Sequence, residues 1–321
     1  MMNMRNFLIA MISILGSVVS YAQPNLLNAK IPEEIGIKSA AQLISDNDKP
    51  LEYGYVDDRD VLMGKTVWEI IDLSERINFP LYFPIDTANI GPDRRSLYDV
   101  LTKAIRSGEI SEVYSDSYFN TKKTFKDIKS SLMLISLSNE GREQLNVLGI
   151  NEEFKDLNPG QISQEDADKL VSKGILPEYI VKSDLTAQDV TQYKIKGYWY
   201  FDKRQSELKY RLLGLCPITP DVYTMNSEEK DYIELFWVFF PAVRDVLHAA
   251  KSFNDKNSSM PISFDQILNS RRFNAVIYQE ENVYGDRAIT SYMKDNAQNQ
   301  LLEAERVKDK IRDFEEDMWN Y

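Results

Sequence analysis

Cysteine and histidine are nearly missing from this 321-residue sequence, which holds one of each, Cys216 and His248. A lone cysteine excludes an intrachain disulfide. One cysteine and one histidine exclude a Cys/His-type structural zinc site within a single chain. A Ser-His-Asp triad would need His248, which lies in RDVLHAAKSF at helical spacing and reads as a surface or core-edge residue. Cys216 sits in RLLGLCPI and reads as a small buried hydrophobe rather than a reactive thiol. The glycine patterns that cradle phosphate, Walker A and GxGxxG, do not occur, nor does the GxSxG nucleophile elbow. Basic charge is in deficit: 38 Lys and Arg face 50 Asp and Glu, a formal net charge of -12. A nucleic-acid binder normally shows a basic face, so none is expected here. Long apolar runs are scarce, and LFWVFF at 235–240 is too short to span a bilayer and stops at Pro241.

What is present describes a globular, exported chain. Hydrophobic content of 43% and aromatic content of 11% are enough for a core. Residues 1–22 read as a secretory signal peptide: Arg5 gives the positive start, FLIAMISILGSVV the apolar centre, and Ser20 and Ala22 the small residues before cleavage at Gln23. No cysteine follows, so no lipid attachment is expected. Residues 23–50, with Pro24, Pro32, Gly36 and Pro50, read as an arm or linker.

The densest early apolar run is DDRDVLMGKTVWEIIDLSERINFPLYFP at 57–84. TVWEIIDL fits either a helical face or a half-buried strand, and a segment this short leaves both open. Leu81-Tyr82-Phe83 before Pro84 reads as extended. SLYDVLTKAIRS at 96–107 predicts a helix capped by Ser96 and ended by Gly108. LMLISLS predicts a strand, and 163–173 a helix stopped by Gly174. Residues 191–217 predict an aromatic β-hairpin turning at 202–206. Residues 232–240 read as a strand or buried helix end closed by Pro241; helices are expected at 242–253 and from Ser263 to Asn269, and a strand at 275–279. From Ser291 the pattern is charged and helical to the end.

The two halves resemble one another. Gly54-Tyr55, Asp57-x-Arg59, VWEIIDL, LYFP, SLYDVL and Tyr114 recur in order as Gly197-Tyr198, Asp202-x-Arg204, KYRLLGL, VFFP, SFDQIL and Tyr278. The expected fold is therefore α+β, with one unit at 51–190, a related unit at 191–296 and a C-terminal amphipathic helix at 297–321. In that helix Leu301, Ala304, Val307, Ile311, Phe314 and Met318 step by three and four. Such a stripe packs either on its own domain or on a partner, with Trp319 and Tyr321 as anchors in the second case. The candidate partner-contact residues are Trp199, Tyr200, Ile311, Phe314, Met318 and Trp319. Acid pairs such as Glu280-Glu281 and Glu315-Glu316 read as solvated charge. The loops 46–48 and 57–60 lack the central glycine of a calcium loop, and whether they bind a cation stays open. No catalytic, cofactor-binding or metal-binding residue is expected.

The strings DRDVLMGKTVWEIIDLSERINFPLYFP, YWYFDKRQSELKYRLLGLCP, LFWVFFPAVRDVL, SFDQILNSRRF and EENVYGDR resemble the GldN/PorN family of the gliding motility and type IX secretion machinery. The likeness runs from the acidic start of the first repeat, at the DRDVLMGK string, to Arg287, and Met63 stands where an aromatic residue is expected. The resemblance implies a non-enzymatic periplasmic subunit under the outer membrane. It would form a ring with other copies of itself and a GldK/PorK-like lipoprotein, coupled to GldL/GldM-like motor components. It implies no cofactor and no membrane span. The alternatives are a periplasmic or secreted carbohydrate-binding protein, using Tyr198, Trp199 and Tyr200, and a glycan hydrolase with a carboxylate pair.

Overall fold

The segment 61–72, open to either helix or strand by its sequence, is the strand β1 (Val61–Asp72) at the heart of a sheet. Its β-branched and aromatic side chains suit a surface packed on both sides. This computed structural model describes residues 49–87, 90, 94–124, 128, 133–149, 162, 164–220, 231–252, 262–294 and 296–319. The expected signal peptide, nearly all of the 23–50 arm, the 46–48 loop and Tyr321 lie outside the described residues.

After β1 come two helices, α1 (Phe79–Tyr82) and α2 (Leu97–Ser107), then a small hairpin of β2 (Val113–Tyr114) and β3 (Lys122–Lys123). A side structure follows: β4 (Met133–Leu137), α3 (Asn139–Leu148), α4 (Gln164–Ser172) and β5 (Ile180–Asp184), with β4 and β5 antiparallel. The long hairpin is β6 (Gln192–Asp202) and β7 (Glu207–Pro220). The chain then runs through β8 (Tyr232–Glu234), β9 (Val238–Phe239), α5 (Phe240–Ala249), β10 (Lys251–Ser252), β11 (Ile262–Ser263) and α6 (Phe264–Asn269). It ends with β12 (Val276–Glu280), α7 (Ile289–Tyr292) and α8 (Ala297–Trp319).

The main sheet is antiparallel in the order β12-β1-β6-β7-β8, with β9 also on β7. Lys65 faces Trp199 and Ile71 faces Tyr193 across β1 and β6. Alternation then assigns faces. Val67, Glu69, Ile71, Tyr193, Ile195 and Trp199 share one face, and Trp68, Lys194, Lys196, Tyr198 and Tyr200 share the other. The first face carries two core clusters. At one end α2, α5 and α6 bring Leu101, Val243, Leu247, Phe264 and Leu268 against Ile71, Tyr193 and Ile195. At the other end α8 brings Ala304, Val307 and Ile311 against Val67 and Ile277. On the second face Trp68, Cys216 and Trp237 pack with Tyr114, Phe119 and Tyr278. The side structure has its own core around Leu137, Leu145 and Leu170.

The fold is α+β, with strands from both sequence halves joined in one sheet and residues Pro50–Tyr321 forming one compact unit. One local feature is alike in the two halves. Ser96 and Ser263 each cap a helix, accepting from the N–H of Asp99 at 3.2 Å and of Gln266 at 3.1 Å. Elsewhere the matched residues diverge: Gly197 lies inside β6 and Gly54 outside any strand, Tyr278 lies in the main sheet and Tyr114 in the small hairpin.

Two expectations are corrected. Leu81 and Tyr82 are helical, and only Phe83 is extended, because proline restricts just the residue before it. The strand reading of 232–240 holds only in the short β8 and β9, and Pro241 follows β9 from inside the next helix. Like Pro80, it stands in the first turn of a helix, where its missing N–H costs nothing. The helix of 96–107 ends on Gly108 in the left-handed region, φ 82°, as its sequence predicts. No helix among the described residues is long and apolar enough to cross a membrane.

Candidate functional site

The tail helix α8 seats only the middle of its stripe. Ala304, Val307 and Ile311 are buried against the sheet, while Leu301 at the start is half exposed. Toward the other end Phe314 meets Phe201 edge-on, with ring centroids 6.0 Å apart, and Met318 is half-buried. Trp319 closes the helix, and its side chain lies outside the described residues. Trp199 is half-buried beside this cluster, its ring 5.0 Å from that of Tyr210. Tyr200 is buried on the opposite face, stacked on Tyr198 at 6.0 Å. The structure thus brings Trp199, Ile311 and Phe314 into one region and places Tyr200 elsewhere. Neighbouring strand residues point to opposite faces, so Tyr198, Trp199 and Tyr200 do not line one groove. Ile311 and Tyr200 are internal, and any effect they have on a partner passes through the helix and strand they hold.

Between the two clusters of the first sheet face lies an ion pair. Both terminal guanidinium nitrogens of Arg271 donate to Glu69 at 2.8 Å, and the Tyr210 hydroxyl donates to the same carboxylate at 3.4 Å. Glu69 is 1% exposed. Burial first, and then the Glu69 charge, push the Tyr210 phenol well above its usual range. A second buried pair joins α5 to α6: Arg244 donates to Asp265 at 2.8 and 3.1 Å. Arg244 also donates to the Leu51 carbonyl at 2.6 Å and stacks on Tyr53, whose ring Arg211 approaches as well. Arg204 and Arg211 hold the carbonyls of Tyr55 and Gly54. Arg204 and Arg211 therefore strap 54–55 to the hairpin, and Arg244 straps Leu51 to α5. They leave a cavity of about 270 Å³ between Tyr53, Tyr55, Tyr200, Asp202, Lys209 and Arg211.

Asp202 is a buried carboxylate whose pKa is held below the usual value. Asp202 accepts from the Arg204 N–H at 3.0 Å and from Lys209 at 3.4 Å. Burial alone would raise its pKa, but these contacts keep it below the usual value. Glu69, Asp202 and Asp265 each pair with a cation, at 2.8, 3.4 and 2.8 Å. Asp57 binds Arg59 at 3.0 Å and Asp60 binds Arg204 at 2.9 Å, so the 57–60 loop spends these acids on arginines. No group of three or more His, Cys, Asp or Glu side chains is placed to hold a metal among the described residues. Glu280 is not a solvated charge: it pairs with Lys65 at 3.0 Å and is largely buried. Cys216 is fully buried and its thiol pushed well up by that burial, as its apolar neighbours predict.

Sequence matching covers nearly the whole of this sheet and its helices: the chain matches the family described as gliding motility associated protein GldN over residues 56–320. The chain belongs to the GldN family. The match begins just after the strap and ends beyond α8, so the main sheet, the side structure and the tail helix all fall within it. Membership makes the chain a component of the gliding motility and type IX secretion machinery, a structural one by the character of the family. Among curated proteins, none matches the chain.

Two features escaped the sequence. Arg271 and Glu69 are 202 positions apart, and no local pattern joins them. The second is the loop 281–287 with its exposed apolar tip, which no reading anticipated although Asn282, Gly285 and Asp286 are turn formers.

Proposed function

We propose that the chain is a non-enzymatic subunit of a periplasmic ring of the type IX secretion and gliding machinery, held at the inner face of the outer membrane by a GldK/PorK-like lipoprotein. Family membership over 56–320 carries this reading. Other copies of the chain are its neighbours in the ring, and GldL/GldM-like motor components drive the assembly. The apolar start of the sequence supports export. The pairing of Glu69, Asp202 and Asp265 with cations supports a structural rather than catalytic role. Trp199, Phe314, Met318 and Trp319 form the contact region in this reading, because α8 reaches past the cluster that seats it. Ile311 and Tyr200 fix that region from within.

The test is a pull-down of the full chain from its own cells' membrane fraction, read by mass spectrometry. Recovery of a lipoprotein with the chain in fixed ratio is the expected result. A chain recovered alone, at wild-type expression, would contradict the reading.

A further inference from the structure

The connection from β12 to α7 shows two large apolar side chains to water on a backbone that is held still. Val283 is 93% and Tyr284 73% exposed. Gly285 and Asp286 are both left-handed, φ 76° and 57°, and an aspartate there is strained unless its surroundings hold it. Asn282 does so. Its Oδ1 accepts from the N–H of Tyr284 at 3.0 Å and of Arg287 at 3.3 Å, and its Nδ2 donates to the carbonyls of Glu280 and Arg287. Asp286 Oδ1 accepts from the Asn282 N–H at 3.1 Å, and Oδ2 from the Tyr118 hydroxyl at 3.1 Å. Tyr118, itself 46% exposed, is braced from below. The Lys196 ammonium lies 4.7 Å from its ring and donates to the Ser117 carbonyl at 3.0 Å. Arg287 lies over the Tyr284 ring at 5.2 Å.

An exposed loop tip without a partner is ordinarily polar and mobile. This one is apolar and tied down, so the entropy of ordering it is already spent before any contact. Tyrosine and arginine, here Tyr284 and Arg287 beside the aliphatic Val283, are side chains enriched where interfaces anchor. An aliphatic tip suits an apolar protein socket; a sugar site would set hydrogen-bonding groups among the rings, and Val283 supplies none. Charge then selects the rim. Asp116, Glu281 and Asp286 all act on the Lys196 ammonium beneath the tip, Glu280 is already paired with Lys65, and the whole chain carries -12. A second copy would bring like charge, and a basic surface brings the complement.

We propose that residues 281–287 are a preformed docking knob, with Val283 and Tyr284 entering an apolar socket rimmed by Lys or Arg on a different protein of the assembly. This rests on the reading of the chain as an assembly subunit. The test places the photo-reactive residue p-benzoylphenylalanine at position 284 of the full chain in its own cells, and maps the crosslinked peptides. The expected result is a crosslink to one other protein, at an apolar stretch flanked by basic residues, with a yield that falls several-fold at high salt. Crosslinking to a second copy, or to no protein, overturns the proposal. The double variant Val283→Ser with Tyr284→Ser should lose that same protein by about tenfold or more in co-purification, with unchanged melting. Asn282→Ala, which frees the loop but keeps its tip, should weaken recovery several-fold. Wild-type recovery in the double variant also overturns the knob. If the wild-type chain stays in a large complex while the tip neither crosslinks nor matters, the knob falls and the assembly reading stands. A wild-type chain found only as a monomer fells both.

Discussion

Two glycines in the sheet lie under tyrosines, one on each face, and they should respond differently to the same change. A Cβ at Gly197 would overlap the ring of Tyr210, which is half-buried but pinned by its bond to Glu69. A Cβ at Gly64 would meet the outer end of Tyr198, which is half exposed and free to swing. Gly197→Ala is expected to cost about 1–3 kcal/mol, and Gly64→Ala less than about 1 kcal/mol; urea unfolding of both variants checks the order. The buried phenols give a pH prediction. Burial pushes Tyr193, Tyr210 and Tyr278 above the ordinary value of about 10. The folded chain therefore keeps protons that the unfolded chain gives up. Their contribution to stability is full below about pH 10 and is lost as pH rises beyond it. Absorbance at the phenolate band should show these groups silent until the chain unfolds, and ionisation inside the folded state would contradict it.

At the scale of elements, the Glu69–Arg271 pair joins β1 to the turn after α6, between two apolar clusters. Removing one partner leaves a charge buried alone. Glu69→Gln is expected to cost about 3–5 kcal/mol, while the joint change Glu69→Leu with Arg271→Met should recover most of it. A double-mutant cycle by denaturant measures both. The tail helix is a separate case. Ile311→Ala removes buried contacts and should cost about 2–3 kcal/mol, whereas Leu301→Ser, on an exposed position, should change stability by less than about 0.5 kcal/mol. An Ile311 variant thus cannot report a partner contact by itself, and Met318 is the cleaner probe. Much at this scale was legible from sequence. Capped helices such as that of Ser96, the 191–217 hairpin and the stripe of α8 follow from local periodicity and turn chemistry. What was not legible depended on distant chain: β1 became a strand because β6 and β12 flank it, and Pro80 and Pro241 open helices because Phe79 and Phe240 could begin a turn there. The candidate contact residues were legible as apolar, but their faces were set by β6 pairing, which divides Trp199 from Tyr200.

For the molecule as a whole, the likeness of its halves pointed to two units, and the structure joins their strands in one sheet with the tail helix across one end. A chain built this way has its buried acids neutralised and its distinctive surfaces at the tail, the strap and the 281–287 tip. That arrangement suits a part that is held by neighbours. The measurement that tests this most directly is the size of the particle that carries the full chain when envelope complexes are gently extracted from its own cells and sedimented. The account predicts a particle of many copies, containing the chain and a lipoprotein together. A particle of one chain, stable and alone under the same extraction, would contradict it.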